Sequence, residues 1–318
     1  MEDLQAAFYE NDNHAGGHLS YSEFYITVSD IRVLNSNGVD ISFTSHKVFV
    51  ETAIHWRGEQ ETEIEISESY SFSLPANISD ACEMLKARIA HLFTVAKEKS
   101  IAVPTPKVED INILLTGECL ATFFNYYSNR SNAGMIYQQM STYEAGVQVQ
   151  GKNPETCDRI TLILDPTMEG SSFSRPWDEH GLPLTSHTII QGGKLLKIWG
   201  DTRFSSYLNI PATGNISNVC VTGGTATQAE LRRGPYLELV SFSDFQTNPI
   251  TGDFGSEIRL GFYHDGEKTV PVTGGSISGN MAAVHDTMRM SKEERQYNHY
   301  RGPATICIRG ASISGVIS

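Results

Sequence analysis

The sequence predicts an α+β fold in which a sheet-and-helix domain is followed by a mostly antiparallel β-barrel or sandwich domain. Three observations predict it. An Asn-Gly pair at residues 37–38 lies between two alternating segments, which is typical of a β-hairpin. Residues 77–99 repeat apolar positions at helical spacing. From Gln148 onward, short alternating runs are separated by glycine turns, a pattern that favours a barrel or a sandwich.

The predicted N-terminal strands occupy residues 21–73. They are joined by the Asn-Gly turn and by a second turn at Arg57-Gly58-Glu59. After that turn, acidic residues alternate with less polar ones, which places the acids on one face of a strand. The acids are Glu61, Glu63 and Glu65. We interpret this face as a solvated sheet surface, with a role in binding a metal or a cationic partner as the alternative.

A long amphipathic helix is predicted over Asn77–Lys99. Its apolar residues share one face because they recur at helical spacing. They are Ile78, Cys82, Leu85, Ile89, Leu92 and Ala96. Pro104 and Pro106 then interrupt any helix or ladder. We therefore divide the chain into an N-terminal domain of residues 1–106 and a C-terminal domain of residues 107–318.

The C-terminal domain is predicted to open with a strand at Ile111–Leu115 and a helix at Glu118–Asn129. Beyond Gln148, the pattern predicts helix at Ser278–Met290 alone. The clearest predicted strands of that region are Ile160–Leu164, Thr188–Ile190, Tyr236–Phe242 and Ile258–Phe262.

The composition argues against several classes of function. With 318 residues and a net charge of −13, the chain would be repelled by phosphate backbones, so we expect no nucleic-acid partner. No apolar run approaches the roughly 20 residues of a membrane helix, and the acidic start does not resemble a secretory signal. Five widely spaced cysteines without a Cys-x-x-Cys pair indicate reduced thiols. We therefore expect a cytoplasmic protein.

Several short motifs follow one another in a defined order along the second half of the chain. Each alone marks a tight turn, and its aspartate can serve as a turn former. The motifs are Leu164-Asp165-Pro166, Asp178-Glu179-His180-Gly181, Gly192-Gly193-Lys194, Thr213-Gly214-Asn215, Thr251-Gly252-Asp253-Phe254, Gly279-Asn280 and Gly302-Pro303. Their order resembles the C-terminal domain of the TldD/PmbA family, whose best-known members are metallopeptidases that act on peptides.

The resemblance implies where a zinc centre would lie and that its ligands are missing. The family places His-Glu-x-x-x-His at the start of the helix after the first strand of this domain. The matching histidine positions are Gly117 and Thr122, and only the glutamate is kept, as Glu118. The loop that holds the family's late cysteine ligand contains His299 and no cysteine. A zinc centre of that type requires these ligands. We therefore expect no catalytic residue, metal or other cofactor in this chain.

This departure itself resembles the PmbA (TldE)-type branch of the family, which lacks the zinc motif. The resemblance implies a subunit that is inactive alone and that encloses or positions an unfolded peptide for a zinc-bearing TldD-type partner. One alternative is a self-contained peptidase with a non-standard centre at Glu118 and Cys119, helped by distant histidines such as His180, His285 or His299. Another is a non-enzymatic protein that binds extended peptides by edge pairing.

Two further features bear on sites and partners. His14 and His18 are four residues apart and are minor candidates for a metal site, although the glycines between them favour a loop. Family members usually carry a longer N-terminal domain, so this chain is expected to be a short member, a fragment or the product of a split gene. A missing layer would expose the sheet of residues 21–73 and favour self-association or a partner interface.

Overall fold

The computed structural model describes residues 2–10, 16–57, 63–74, 78–152 and 155–315. The helices are α1 (Glu2–Tyr9), α2 (Ile78–Ser100), α3 (Cys119–Arg130), α4 (Ala133–Tyr137), α5 (Thr202–Tyr207), α6 (Gln228–Leu231) and α7 (Met281–Val284). The strands are β1 (Gly17–Leu34), β2 (Asp40–Trp56), β3 (Ile64–Phe72), β4 (Val103–Pro104), β5 (Asn112–Thr116), β6 (Thr161–Leu164), β7 (His187–Gln191), β8 (Lys194–Leu195), β9 (Val219–Thr222), β10 (Tyr236–Phe242), β11 (Gln246–Thr247), β12 (Asp253–His264), β13 (Thr269–Thr273), β14 (Ser276–Asn280), β15 (Arg289–Met290), β16 (Glu294–Tyr297), β17 (Tyr300–Pro303), β18 (Thr305–Ile308) and β19 (Ser312–Ser314).

The N-terminal part is an antiparallel sheet of strand order β1-β2-β3 with α2 packed on one face. The predicted hairpin is confirmed, and Gly38 in its turn has a φ of +85° that favours glycine. The predicted long helix is also confirmed as α2. Its stripe is buried in the middle and at the end, whereas Ile78 is exposed and Cys82 is half-buried. The predicted turn at Arg57-Gly58-Glu59 continues into residues 58–62, which lie outside the described residues.

The C-terminal part contains two open, mainly antiparallel sheets. The larger follows the order β15-β18-β5-β10-β12-β13-β4 with β11, β14 and β19 attached, and the smaller follows β16-β17-β9-β6-β7-β8. Of the predicted barrel or sandwich, the barrel is wrong, because neither sheet closes on itself. Helix α3 lies between the two sheets. Phe123 packs edge-on against Phe254 of β12 at 5.9 Å, and Phe124 stacks on Tyr300 of β17 at 5.8 Å between ring centroids.

The helix predicted at Ser278–Met290 is wrong. The segment begins inside β14, where Gly279 pairs with Phe254, and only Met281–Val284 is helical before β15. Asn280 explains the late start, because its side chain accepts from the N–H of Ala282 and so caps α7. Helices α5 and α6 also lie beyond Gln148, where none was expected outside that segment.

Apolar side chains form separate clusters in the two halves of the chain. One cluster contains buried residues between Leu4 and Ala96, and the largest contains buried residues between Ile113 and Ile313. Strand β4 follows the first cluster and already pairs with β13 of the C-terminal part. The boundary at residues 106/107 stays a prediction. Among the described residues, none of the helices combines the length and apolar character needed to cross a membrane.

Candidate functional site

The junction between β5 and α3 carries Gly117, Glu118 and Thr122, the positions that the sequence resemblance aligns with the zinc motif. Strand β5 is central in the larger sheet, and its residues 113–115 are buried. Gly117 follows it with a φ of +87°, a left-handed conformation that disfavours any other side chain. A Cβ atom there would lie 3.1 Å from the carbonyl oxygen of Val240. The backbone at residue 117 therefore suits glycine, and any other side chain there would be strained.

Glu118 is held by an arginine from the N-terminal part of the chain. Its Oε1 accepts from Nη2 of Arg88 on α2 at 2.7 Å, and the same nitrogen donates to Oε1 of Glu68 on β3 at 2.6 Å. The guanidinium also lies over the ring of Tyr70 at 3.8 Å from its centroid. We call Arg88, Glu68, Tyr70 and Glu118 the Arg88 cluster. It connects β3, α2 and the start of α3.

The charges of the Arg88 cluster stabilise one another. Burial opposes the charge of Arg88, but the carboxylates of Glu68 and Glu118 more than offset it, so the pKa of Arg88 lies above its ordinary value. Burial raises the pKa of Tyr70, and the guanidinium of Arg88 opposes that shift. Glu118 is thus an acceptor in an ion pair with a permanently charged partner.

Cys119 lies next to Glu118 but is a buried thiol. Its Sγ donates to the carbonyl oxygen of Thr116 at 3.3 Å, and burial raises its pKa well above the ordinary value. A thiolate nucleophile is therefore disfavoured at this position. Thr122, the second degenerate histidine position, is half-buried one turn further along α3.

Of His180, His285 and His299, only His299 is brought towards Glu118. It lies in the turn between β16 and β17, with its ring edge-on to Phe173 at 5.4 Å. Burial lowers the pKa of His299, and the nearby carboxylate of Glu118 opposes this shift. Burial raises the pKa of Tyr297 in the same hairpin, with further contributions from groups that include Cys119 and Glu118. The β16–β17 turn therefore lies beside the start of α3.

The other histidines considered from the sequence lie in different surroundings. His180 is exposed in the turn held by Asp178, and its carbonyl oxygen accepts from Asn35 at the tip of the β1–β2 hairpin. His285 follows α7 beside Asp286, and burial lowers its pKa. Neither has a described contact with Glu118.

The Arg88 cluster was not predicted from the sequence, although the alternation along β3 pointed to one of its residues. Along β3, Ile64, Ile66, Glu68 and Tyr70 alternate on the face opposite Glu63 and Glu65. Glu68 is therefore an acid on the apolar, helix-facing side of the sheet. A buried or half-buried acid needs a partner, and Arg88 beside the apolar stripe of α2 could have been proposed as that partner.

Of the minor metal candidates, His14 lies outside the described residues. His18 lies on β1 directly opposite His55 of β2, with their rings 5.5 Å apart. One donor atom each of His18, His55 and Glu63 lie within 4.8 Å of one another. The expected loop around His18 is wrong at that residue, because β1 begins at Gly17.

The C-terminal part thus combines two open, mixed sheets with helix α3 between them and the β5–α3 junction at its start. A family model described as "PmbA/TldA metallopeptidase C-terminal domain" matches residues 108–315. The chain therefore belongs to the PmbA/TldD family, as its ordered turn motifs indicated.

Relatives are similar to the chain along most of its length. An uncharacterised protein from Methanocaldococcus jannaschii is 25% identical over 264 residues, which cover 79% of this chain and 59% of that protein. The chain thus spans less than two thirds of this curated relative. The crystal structure of TldE from Thermococcus kodakarensis is similar with a TM-score of 0.77 and 16% identity, over 99% of this chain and 72% of TldE. The crystal structure of a candidate modulator of DNA gyrase from Thermotoga maritima is similar with a TM-score of 0.76 and 16% identity, over 99% of this chain and 73% of that protein. At this identity the two structures show the fold.

Proposed function

We propose that this chain is a non-catalytic, PmbA (TldE)-type subunit of a TldD/PmbA-type metallopeptidase, which encloses or positions unfolded peptides for a zinc-bearing TldD-type partner. The observation that carries the proposal is the set of side chains at the β5–α3 junction. Glu118 is the kept residue of the zinc motif, and it is ion-paired to Arg88. Gly117 and Thr122 supply no imidazole beside it. A zinc-activated water needs such ligands and a free general base.

The same geometry weighs against a self-contained peptidase. A nucleophilic cysteine needs a lowered pKa and an adjacent base, whereas burial raises the pKa of Cys119. Glu118 is ion-paired with Arg88, and burial lowers the pKa of the nearby His299. Glu118 and Cys119 instead make contacts that hold the start of α3, to Arg88 and to the carbonyl oxygen of Thr116.

An extended peptide could add to a sheet edge near this junction. Strand β16 is the outer strand of the smaller sheet, and residues 294–296 are exposed. The hairpin that contains it also presents Tyr297 and His299 beside Glu118. Edge pairing reads backbone groups more than side chains, which suits a protein that accepts unfolded peptides of varied sequence.

The proposal is tested by combining this chain with a TldD-type chain from the same genome and measuring hydrolysis of a fluorogenic unfolded peptide. We expect no hydrolysis by this chain alone, and hydrolysis by the mixture that stops on zinc chelation. Replacing the zinc-motif histidines of the partner should abolish hydrolysis by the mixture. Thr122→Ala in this chain should leave the rate of the mixture unchanged, because Thr122 binds no metal.

Two results would contradict the proposal. Hydrolysis by this chain alone that is lost in Glu118→Gln or Cys119→Ser would establish the self-contained peptidase. Peptide binding by this chain with no effect on the hydrolysis rate of any TldD-type partner would favour the non-enzymatic binding protein.

A further inference from the structure

A group of imidazole and carboxylate side chains lies on the outer face of the N-terminal sheet, away from the Arg88 cluster. His18 of β1 pairs with His55 of β2, and His55 pairs with Glu65 of β3, so the three side chains form a row across the strands. Glu63 precedes Glu65 by two residues and points to the same face. The opposite face carries Ile54 and Trp56, which are buried in the core.

His55 has two different carboxylate neighbours. Its Nε2 is 2.7 Å from Oε2 of Glu65, a hydrogen bond in which the carboxylate accepts and Nε2 must carry the proton. In the neutral imidazole, Nδ1 then keeps a lone pair, which faces Oε1 of Glu63 at 3.6 Å. This distance is too long for a hydrogen bond. It is close to the separation of about 3.4 Å between two ligand atoms of a tetrahedral zinc ion.

We propose that His18, His55 and Glu63 form a binding site for a divalent transition metal of the zinc type. Two imidazoles and one carboxylate make a donor set that zinc uses in proteins with an open fourth position. The donor atoms lie within 4.8 Å of one another, and His18 and Glu63 are exposed, so small rotations close them onto an ion. Glu65 fixes the orientation of His55 by accepting a hydrogen bond from its Nε2, as carboxylates commonly do for metal-binding histidines.

The site is distinct from the zinc motif of the family. It lies on β1, β2 and the start of β3, whereas the degenerate motif lies at the β5–α3 junction. Magnesium and calcium prefer oxygen ligands, so the imidazole pair selects against them. A bound ion would connect the three strands at the end of the sheet where β1 begins and β2 ends.

The test is zinc binding to the tag-free full chain after removal of metal with a chelator. Competition against a chromophoric zinc indicator gives the affinity and stoichiometry. We expect one zinc per chain in the micromolar range or tighter, not displaced by millimolar magnesium. His18→Ala, His55→Ala and Glu63→Gln should each weaken binding at least ~10-fold, and Glu65→Gln should weaken it roughly 10–100-fold. His46→Ala, an exposed histidine of the same strand β2, is the matched control and should have no effect.

Circular dichroism and thermal melting of each metal-free variant check that the sheet is intact. If a histidine variant fails to fold, the nearly isosteric Glu63→Gln and Glu65→Gln carry the test. The proposal is overturned if the wild-type chain binds no stoichiometric zinc. It is also overturned if binding survives in His55→Ala, or if magnesium competes equally, because the acids alone would then account for it.

Discussion

Replacing Arg88 should destabilise the chain by about 2–5 kcal/mol, most of it through Glu68. In Arg88→Met, Glu68 loses a charged hydrogen bond at a site where its side chain is 24% exposed, which costs about 1.5–3 kcal/mol. The side chain of Glu118 is 53% exposed, so its pair contributes less, up to about 1 kcal/mol. The contact with the ring of Tyr70 adds about 0.5–1 kcal/mol.

The assay is urea unfolding followed by the fluorescence of the three tryptophans, of which Trp56 is buried in the N-terminal cluster. Double-mutant cycles of Arg88→Met with Glu68→Gln and with Glu118→Gln separate the two pairs. The coupling to Glu68 should be the larger. Lys86→Met is the matched control on the same helix, because its ion pairs involve well-exposed glutamates, and it should cost less than about 1 kcal/mol.

The structural reasoning would be refuted in either of two ways. An Arg88→Met variant within about 0.5 kcal/mol of the wild type would mean that the cluster does not stabilise the fold, as for an ordinary surface substitution. A Glu118→Gln variant as costly as Glu68→Gln would mean that exposure does not set the strength of the two pairs.

Two further predictions concern the same junction. Gly117→Ala should lower the free energy of unfolding by about 1–2 kcal/mol, because an alanine is strained at its φ of +87°. In urea unfolding it should cost more than Gly146→Ala, whose φ is similar but whose Cβ would meet nothing within 4 Å; equal costs would argue against close packing at Gly117. Burial lowers the pKa of His299, so below its ordinary value of 6.5 the unfolded chain binds more protons and stability falls as the pH falls. His299→Gln should flatten this loss in thermal melts between pH 7.5 and 5.5, whereas Glu118→Gln should steepen it, and a slope unchanged in both would contradict the assignment.

The fold could be predicted where the sequence pattern is long enough to show its period. The β1–β2 hairpin follows from one Asn-Gly turn between long alternating runs, and α2 follows from 23 residues with one apolar stripe. Helices α5, α6 and α7 have four to six residues each, too few to show a helical period. Their positions are set by single caps, namely Asp201, Thr227 and Asn280.

The barrel was predicted from strand spacing, which describes strands but not what lies between them. Whether short strands close on themselves depends on what fills the interior. Here α3 fills it, and its aromatic residues Phe123, Phe124 and Tyr127 are fully buried between the sheets. The apolar side of that helix was visible in the sequence, but nothing in the pattern shows that sheets cover it from both sides.

The candidate sites also differ in how far apart their residues lie along the sequence. The degenerate motif at Gly117, Glu118 and Thr122 could be located by family resemblance, because its members lie within six consecutive residues between the end of β5 and the first turn of α3. The Arg88 cluster depends on how α2 packs against β3 and the start of α3. The His18–His55–Glu63 group depends on strand register, which pairs β1 with β2 and β2 with β3. Sequence alternation places Glu63 and Glu68 on opposite faces of the sheet, but only helix packing and strand register supply their partners. Glu118 belongs to both kinds of argument, because its place in the motif suggests a general base, whereas the structure pairs it with Arg88. The choice between these roles rests on the partner, and this is why the double-mutant cycle on Arg88 is informative about function as well as stability.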